Sequence, residues 1–358
     1  MARVRRVPLD RSKNRTVRRI GQAQDRRCSV RARMVPNAFW HHELNPLHPE
    51  RVRFFNAKGT KGRDFTLPKP PGEWRIVCLG DSAVEGAGVH SDETLPRQLE
   101  AELKARAESR AVNHRITVIN AGVGAHNSAF SLSYLAFRLI HFEPDVLVIK
   151  SSYSDYIPFC VSGMEYDYTH AFTSPLRPLP SALFRPKAWW RLIMRLLRSI
   201  PLIPRETSIS PEVRAWARQA RSQDEFLSCY EDRFFVYAEN IRSMVLIGRG
   251  RGIGVVLVDL PTSPDPGHFH SERVFEARFK GLMKRFEVEL LRIAGEEGVP
   301  FVRTGPFEPD DFWDHCHFTA SGNRKAAMAV ADTLVQQFDP RGTNGGQGRD
   351  GESPATGL

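Results

Sequence analysis

The sequence predicts a three-layer α/β domain, in which a parallel five-stranded sheet is covered by helices on both faces. Short apolar segments typical of buried strands occur five times, at residues 75–79, 116–120, 145–150, 254–260 and 299–303. Patterns with helical spacing follow these segments, at residues 94–110, 131–141, 232–248, 272–297 and 321–337. Because strands that alternate with helices pair in parallel, this order favours one doubly covered sheet.

The composition is that of a protein with a real hydrophobic core. Hydrophobic residues make up 41% of the 358 residues, and no run of 18 apolar residues is present, so we expect no membrane-spanning helix. The basic start of the chain has no apolar segment, so we expect no secretory signal. Five scattered cysteines without a CxxC pair argue against a zinc site and a disulfide framework, and favour reduced thiols in the cytoplasm.

The positive charge lies in the first 36 residues. The chain has 51 basic and 41 acidic residues, and residues 1–36 contain twelve of the former and two of the latter, which leaves 39 of each. A basic arm of this kind binds nucleic acid, anionic lipid or an acidic partner, or is simply a solvated, disordered terminus. No motif for specific nucleic-acid recognition accompanies it.

The remaining organisation follows from shifts in composition. Residues 37–73 form an irregular lead-in rich in Pro, Gly, His and aromatic residues, and residues 74–339 form the α/β domain. About 100 residues separate the third and fourth strands, which indicates an insertion at about 156–232. The Gly-rich residues 340–358 are expected to be disordered.

One segment of the insertion, residues 187–200, has an amphipathic pattern. On a helix its basic residues fall within one narrow sector and its apolar residues cover the rest, with Lys187, Arg191, Arg195 and Arg198 in the basic sector. A helix of this length spans about 21 Å, too short to cross a bilayer. It would either lie in a membrane interface or pack on the sheet domain as a lid.

The first strand ends in Gly80-Asp81-Ser82, a tripeptide with two interpretations. Active sites of parallel α/β sheets form at the carboxyl ends of the strands, so Ser82 could be an exposed nucleophile at a helix N-terminus. The same tripeptide is ordinary turn and capping chemistry.

A second polar group stands just before the last predicted helix, at Asp314 and His317. Their spacing lets the carboxylate bind one imidazole nitrogen, which leaves the other nitrogen to take a proton from a serine. His315 and Asp311 are competing choices for these two roles, and polar residues on a surface loop are the alternative to any catalytic role.

Three blocks together resemble the SGNH (GDSL) hydrolase family. They are Gly80-Asp81-Ser82, Asn120-Ala121-Gly122 and Asp314-His315-Cys316-His317, in the family's order. The resemblance, which covers roughly 75–160 and 235–335, implies a flavodoxin-like five-stranded parallel sheet. It further implies that Ser82 is the nucleophile, His317 the general base and Asp314 the residue that orients it, without a cofactor or a metal.

Two positions depart from the family. The resemblance places an oxyanion hole at the backbone N–H of Ser82, at the Gly124-Ala125 step and at the third block. By alignment, Ala125 falls where the family has glycine, and Ser154 stands where it has asparagine. A serine hydroxyl is shorter than an asparagine amide, and loss of one oxyanion donor typically costs 10²–10³ in rate. We therefore expect a slow enzyme or an unusual substrate.

The resemblance implies a serine hydrolase that cleaves a carboxylic ester, as an esterase, a lipase-like enzyme or a deacetylase. The alternatives are a weak or inactive binding module that kept the fold, and an acyltransferase that acts on a glycan. The expected substrate is a small-molecule, glycan or lipid ester. Residues 1–36 and the helix near 187–200 would be the contacts to a membrane surface or an acidic partner.

Overall fold

A computed structural model describes residues 34–37, 41–44, 55–109, 115–151, 153–159, 168, 231–269 and 273–338. The amphipathic segment 187–200, the tail 340–358, most of the insertion and residues 1–33 of the arm lie outside the described residues, so their predicted membrane or partner contacts remain predictions. Strand β1 (Met34–Asn37) pairs with β2 (His41–Leu44) in an antiparallel hairpin, so β1 begins within the range assigned to the arm.

The main sheet has five parallel strands in the order β4-β3-β5-β6-β7, which confirms the predicted fold class. They are β3 (Glu73–Gly80), β4 (Arg115–Gly122), β5 (Val146–Lys150), β6 (Gly254–Val258) and β7 (Phe301–Val302). Strand β7 is shorter than the predicted 299–303. It is an edge strand with one neighbour, and Pro300 has no N–H to donate to that neighbour.

Seven α-helices are present in the described part of the chain. They are α1 (Ser82–Glu85), α2 (Leu95–Ser109), α3 (Ser128–Phe137), α4 (Tyr156–Phe159), α5 (Glu231–Gly250), α6 (Arg273–Glu297) and α7 (Ala320–Phe338). Helix α3 begins three residues before the predicted start, because the Asn127 side chain accepts the N–H of Phe130 at 3.0 Å and caps the helix. None of these helices combines the length and the apolarity that crossing a bilayer requires.

The helices cover both faces of the sheet, and alternate strand residues pack against different layers. Val77 and Leu79 of β3 lie in one buried cluster with α3, α5 and α6. Ile76 and Cys78 lie in a second cluster with α2 and α7. Burial on both faces explains why the strands appear in the sequence as apolar runs rather than as alternating patterns.

Two glycines let α1 lie directly on the strand ends. Gly80 and Gly122 are paired across β3 and β4. A Cβ added to Gly80 would lie 2.5 Å from Cγ2 of Val84 in α1 and 2.1 Å from the carbonyl oxygen of Lys150 in β5, and one on Gly122 would lie 2.1 Å from the backbone nitrogen of Glu85 in α1. Only a residue without a side chain permits this approach, which fixes Ser82 at the edge of the sheet.

We therefore expect Gly122→Ala to lower the free energy of unfolding by about 3 kcal/mol, since the added methyl group meets backbone atoms of α1 that cannot turn away. Urea unfolding measures the change. Gly295→Ala is the matched control: no atom lies within 4 Å of its added Cβ, and alanine in a helix is favoured by up to about 1 kcal/mol. Equal effects of the two substitutions would contradict the packing argument.

Candidate active site

The loop after β3 is held by Asp81, which is fully buried. Its Oδ1 accepts the N–H of Ala83 at 2.9 Å and so caps α1, and its Oδ2 accepts the N–H of Ser154 at 3.2 Å. Burial raises the pKa of Asp81, and these two backbone N–H groups together with the charge of His317 oppose the rise. The tripeptide thus does contain a helix cap, but the capping residue is Asp81, which leaves the Ser82 hydroxyl free for another partner.

That partner is His317. The Nε2 atom of His317 lies 2.7 Å from Ser82 Oγ, and its Nδ1 atom lies 2.7 Å from Asp314 Oδ2. The second carboxylate oxygen, Oδ1, accepts the N–H groups of Cys316 and His317 at 2.9 and 2.8 Å. The structure thus brings together the three residues named from the sequence, although 235 positions separate Ser82 from His317.

The charges in this group determine where the protons lie. Burial raises the pKa of Asp314, but the hydrogen bond and the charge of His317 outweigh it and lower the pKa to about 2. The ionised carboxylate can only accept, so Nδ1 of a neutral His317 carries the hydrogen and Nε2 presents its lone pair to the Ser82 hydroxyl. This is the protonation state that a general base requires.

His317 itself is a stronger base than an ordinary histidine. Burial lowers its pKa, while the Cys316 sulfur, 3.7 Å from Nδ1, and the Asp314 carboxylate raise it, and the net pKa lies above the usual value. Burial raises the pKa of the Cys316 thiol, so this group is neutral at pH 7. The Asp314 carboxylate is therefore the charge that stabilises a proton on His317.

The competing residues serve other purposes. Asp311 accepts hydrogen bonds from Ser321 Oγ at 2.8 Å and from Lys325 Nζ at 2.6 Å, and thereby holds the first turns of α7. The ring of His315 packs on Phe279 with 4.8 Å between ring centroids. Neither side chain is placed as a partner of Ser82.

One group near the site has the composition of a metal site. Ligand atoms of Asp314, His315 and Cys316 lie within 4.8 Å of one another. Both Asp314 oxygens already accept hydrogen bonds, and a cation would compete with His317 for that carboxylate. This donor set therefore fits the hydrogen-bonded arrangement better than it fits a cation.

The oxyanion candidates need one correction. The N–H of Gly124 donates to Glu85 Oε2 at 2.8 Å and is not available to a substrate. Ala125 is exposed, none of the described residues accepts its N–H, and its φ of 63° lies in the left-handed region. This conformation costs an alanine about 1 kcal/mol, and it is one that glycine adopts freely. Of the two residues at the Gly124-Ala125 step, only Ala125 therefore remains a candidate donor to the oxyanion.

Ser154 lies in a turn that spans Tyr153–Asp155. Its N–H is bound by Asp81, whereas no described residue is hydrogen-bonded to its hydroxyl. The next residue, Asp155, accepts the N–H and the hydroxyl of Ser128 at 2.9 and 2.6 Å, and burial raises its pKa to about 7. Asp81 and Asp155 therefore fix this turn between α1 and α3, and they place Ser154 beside the Ser82 loop.

Sequence reasoning missed several residues around this site. Capping chemistry was recognised in Gly80-Asp81-Ser82, but the cap was not assigned to Asp81, although aspartate directly before a short helix is a preferred cap. The hydrogen bond from Gly124 to Glu85 and the hydrogen bond from the Trp313 indole to Ala87 had no signal in the sequence, since each joins segments that only the folded chain brings together.

No family model matches the sequence, and no curated protein matches it. Several solved structures are similar to it at low identity. A GDSL-like lipase from Bacteroides thetaiotaomicron is 13% identical, with 76% of this chain and 93% of that chain covered and a TM-score of 0.41. The lipase/acylhydrolase from Enterococcus faecalis is 16% identical, with 74% and 96% covered and a TM-score of 0.42.

The inhibitor-bound aryl esterase of M. smegmatis is 18% identical, with 74% of this chain and 100% of that chain covered and a TM-score of 0.41. The strand order and the site geometry belong to this chain itself. The five-stranded parallel sheet brings the first and last blocks into contact, at Ser82 and His317. In sequence blocks and in fold, this chain therefore resembles the SGNH (GDSL) hydrolases.

Proposed function

We propose that this protein is a serine hydrolase that cleaves a carboxylic ester through an acyl-serine intermediate. One observation carries the proposal: an unbroken chain of hydrogen bonds joins Ser82 Oγ, His317 and the ionised Asp314 carboxylate, with 2.7 Å at each of its two links. A nucleophile, a base within hydrogen-bond reach and a group that orients the base are the components that acyl transfer requires.

In the first half of the reaction, Ser82 Oγ attacks the ester carbonyl carbon while His317 Nε2 takes the hydroxyl proton. The negative charge moves to the carbonyl oxygen, where the N–H groups of Ser82 and Ala125 and the Ser154 hydroxyl are the candidate donors. When the tetrahedral intermediate collapses, the ester C–O bond breaks and Nε2–H protonates the departing alkoxide. The products are a free alcohol and an acyl-serine.

The second half repeats these steps with water. His317 Nε2 takes a proton from a water molecule as its oxygen attacks the acyl carbonyl, and collapse breaks the bond to Ser82 Oγ. The proton on Nε2 returns to Ser82, and the carboxylic acid leaves. In both halves the Asp314 carboxylate stabilises the imidazolium that forms on His317.

A fluorophosphonate probe together with p-nitrophenyl acetate and butyrate tests the proposal. We expect turnover of both esters, and after treatment with the probe we expect one adduct on the peptide that contains Ser82, found by mass spectrometry. Heat-denatured protein is the control, because an unfolded serine has no base beside it. If the folded protein neither turns over the esters nor reacts with the probe, the result contradicts the proposal. It would then favour the alternative of an inactive binding module, which the serine at position 154 also supports.

The same residues serve an acyltransferase, in which a sugar hydroxyl replaces water in the second half of the reaction. Product analysis with a sugar acceptor present distinguishes the two outcomes, since transfer gives an acylated sugar and hydrolysis gives a free acid. We place hydrolysis first because it needs only Ser82, His317, Asp314 and water, and no acceptor site.

The hydroxyl of Ser154 gives a separate prediction. If it donates to the oxyanion, Ser154→Ala lowers kcat by about 10²-fold and leaves KM nearly unchanged, because the bond strengthens in the transition state. Ester turnover measures both constants. Ser151→Ala is the matched control, since Ser151 is also buried at the end of β5 but its hydroxyl is 3.2 Å from that of Ser131. An unchanged kcat in Ser154→Ala would remove Ser154 from the oxyanion hole.

A further inference from the structure

Trp313, the residue before Asp314, lies against the proposed general base. Its indole is stacked on the ring of His317, with 5.2 Å between ring centroids and 19° between the ring planes. The His317 side chain is only 15% exposed, whereas Trp313 is 46% exposed. The indole thus shields one face of the imidazole from water.

Trp313 is also held by two hydrogen bonds, one from its indole and one from its backbone. Its Nε1–H donates to the carbonyl oxygen of Ala87 at 2.9 Å, in the loop that follows α1, and the backbone N–H of Trp313 donates to the carbonyl oxygen of His317 at 3.1 Å. Trp313 therefore joins the segment that carries Ser82 to the segment that carries His317, although 226 positions separate Ala87 from Trp313.

The loop after α1 is shaped to receive the indole. Gly88 has a φ of 87°, and a Cβ added to it would lie 2.4 Å from Nε1 of Trp313. An L-residue here would meet both backbone strain and the indole ring. The close packing of the indole against this loop therefore depends on glycine at position 88.

The stacking has an electrostatic consequence. The face of an aromatic ring carries negative potential, so the indole attracts His317 more strongly when the imidazole is protonated. Among the described residues, the other ionisable groups near the His317 ring are Asp314 at Nδ1, Cys316, and His315 with 6.4 Å between ring centroids. The charge of His317 also acts on the buried carboxyl group of Asp81. Asp314 and Asp81 also favour the proton when ionised, and Trp313 adds to them without adding a charge.

We infer that Trp313 is a positioning residue, which holds the ring of His317 towards Ser82 and stabilises the imidazolium that forms each time His317 takes a proton. The expected effect of Trp313 on kcat rests on the proposed function, whereas the expected effect of Trp313 on the protonation of His317 does not. Hydrolysis forms that imidazolium twice, so the contact would act in both halves of the reaction.

The first test is a titration that needs no enzymatic activity. The ring signals of His317 are followed by NMR against pH in Ser82→Ala protein, alone and combined with Trp313→Phe or Trp313→Leu. We expect Leu to lower the pKa of His317 by about half a unit to one unit, and Phe, which keeps an aromatic face, to lower it by less. Phe235→Leu is the control, since Phe235 is an exposed aromatic residue on α5.

Tryptophan fluorescence gives a second measurement, on protein with an intact Trp313. A protonated imidazole quenches an indole in contact with it. The fluorescence of the Ser82→Ala protein should therefore increase as the pH rises through the pKa of His317, and this transition should disappear when His317→Gln is added. Unchanged His317 titration in Trp313→Leu, or a fluorescence titration indifferent to His317→Gln, would overturn the inference.

The kinetic arm separates the two proposals. With Ser82 intact, we expect Trp313→Leu to lower kcat about tenfold with little change in KM, and Trp313→Phe to recover part of the loss. If the protein turns over no ester but the pKa of His317 still depends on Trp313, the proposed function fails and the inference stands. If esters are turned over and neither the pKa nor kcat responds, the inference fails alone.

Discussion

Ser82→Ala should lower kcat/KM for p-nitrophenyl butyrate by about 10⁴-fold or more, because the substitution removes the hydroxyl that forms the acyl bond in the proposed mechanism. The fold should be unaffected. Helix α1 is capped by the Asp81 side chain, not by Ser82, and its close packing depends on Gly80 and Gly122. We therefore expect the free energy of unfolding to change by no more than about 0.5 kcal/mol.

The measurement compares ester turnover and urea unfolding for the wild-type and Ser82→Ala proteins. Ser133→Ala is the matched control, since Ser133 lies on α3 and its hydroxyl donates to the carbonyl oxygen of Ala129 at 3.1 Å, away from the site. That control should keep nearly full activity. If Ser82→Ala retains a tenth of the wild-type rate, the catalysis does not proceed through an acyl-serine at this position.

The order of strands and helices could be predicted from the sequence because burial leaves a local pattern. Each strand of the sheet is covered on both faces, so residues such as Ile76 and Val77 are both apolar and stand in one run. The helices between them keep a spacing of three and four residues on their buried sides. Boundaries were less accurate at α3 and β7, where a capping side chain and a proline determine the end of the element.

The candidate site likewise has some residues that could be predicted from the sequence and others that could not. Ser82 and the pair Asp314 and His317 are each visible as short motifs at predicted strand or helix ends, so their meeting could be expected from the sequence alone. The sequence could not predict that the Gly124 N–H donates to Glu85 instead of a substrate, because this bond depends on the position of the buried Glu85 side chain in the folded protein. The contact of Trp313 with Ala87 and His317 likewise joins two loops whose relative position no local pattern specifies.

The second large effect is expected for Asp314→Asn, which changes one atom. In the wild type, Oδ1 of Asp314 accepts two backbone N–H groups and Oδ2 accepts the Nδ1–H of His317. Asparagine has one oxygen, and the two N–H groups of Cys316 and His317 both require an acceptor. The oxygen therefore stays with them, and the amide NH₂ faces Nδ1.

His317 must then accept at Nδ1 and carry its hydrogen on Nε2. In that tautomer Nε2 has no lone pair for the Ser82 proton, so we expect kcat/KM to fall by about 10³–10⁴-fold. Asp311→Asn is the matched control, because Asp311 is also a buried carboxylate near α7 but is bound to Ser321 and Lys325. It should reduce stability and leave kcat/KM within a few fold of the wild type.

The pH dependence gives an independent check on Asp314. A general base acts in its neutral form, so wild-type kcat/KM should rise with pH through the pKa of His317 and level off above it. Burial lowers that pKa, and the charges around His317, Asp314 foremost among those present at pH 7, bring it above the usual value. The pKa of Asp314 is about 2, so this carboxylate stays ionised across the measurable range and does not add a second transition.

Removal of the charge in Asp314→Asn should therefore move the midpoint of the remaining activity to lower pH, while the plateau falls. The two changes have different causes: the plateau reports the tautomer, and the midpoint reports the lost electrostatic stabilisation of the imidazolium. A variant with a lower plateau and an unshifted midpoint would mean that Asp314 orients His317 without stabilising its charge. A variant with an unchanged plateau would mean that the 2.7 Å contact between the Asp314 carboxylate and Nδ1 has no part in the reaction.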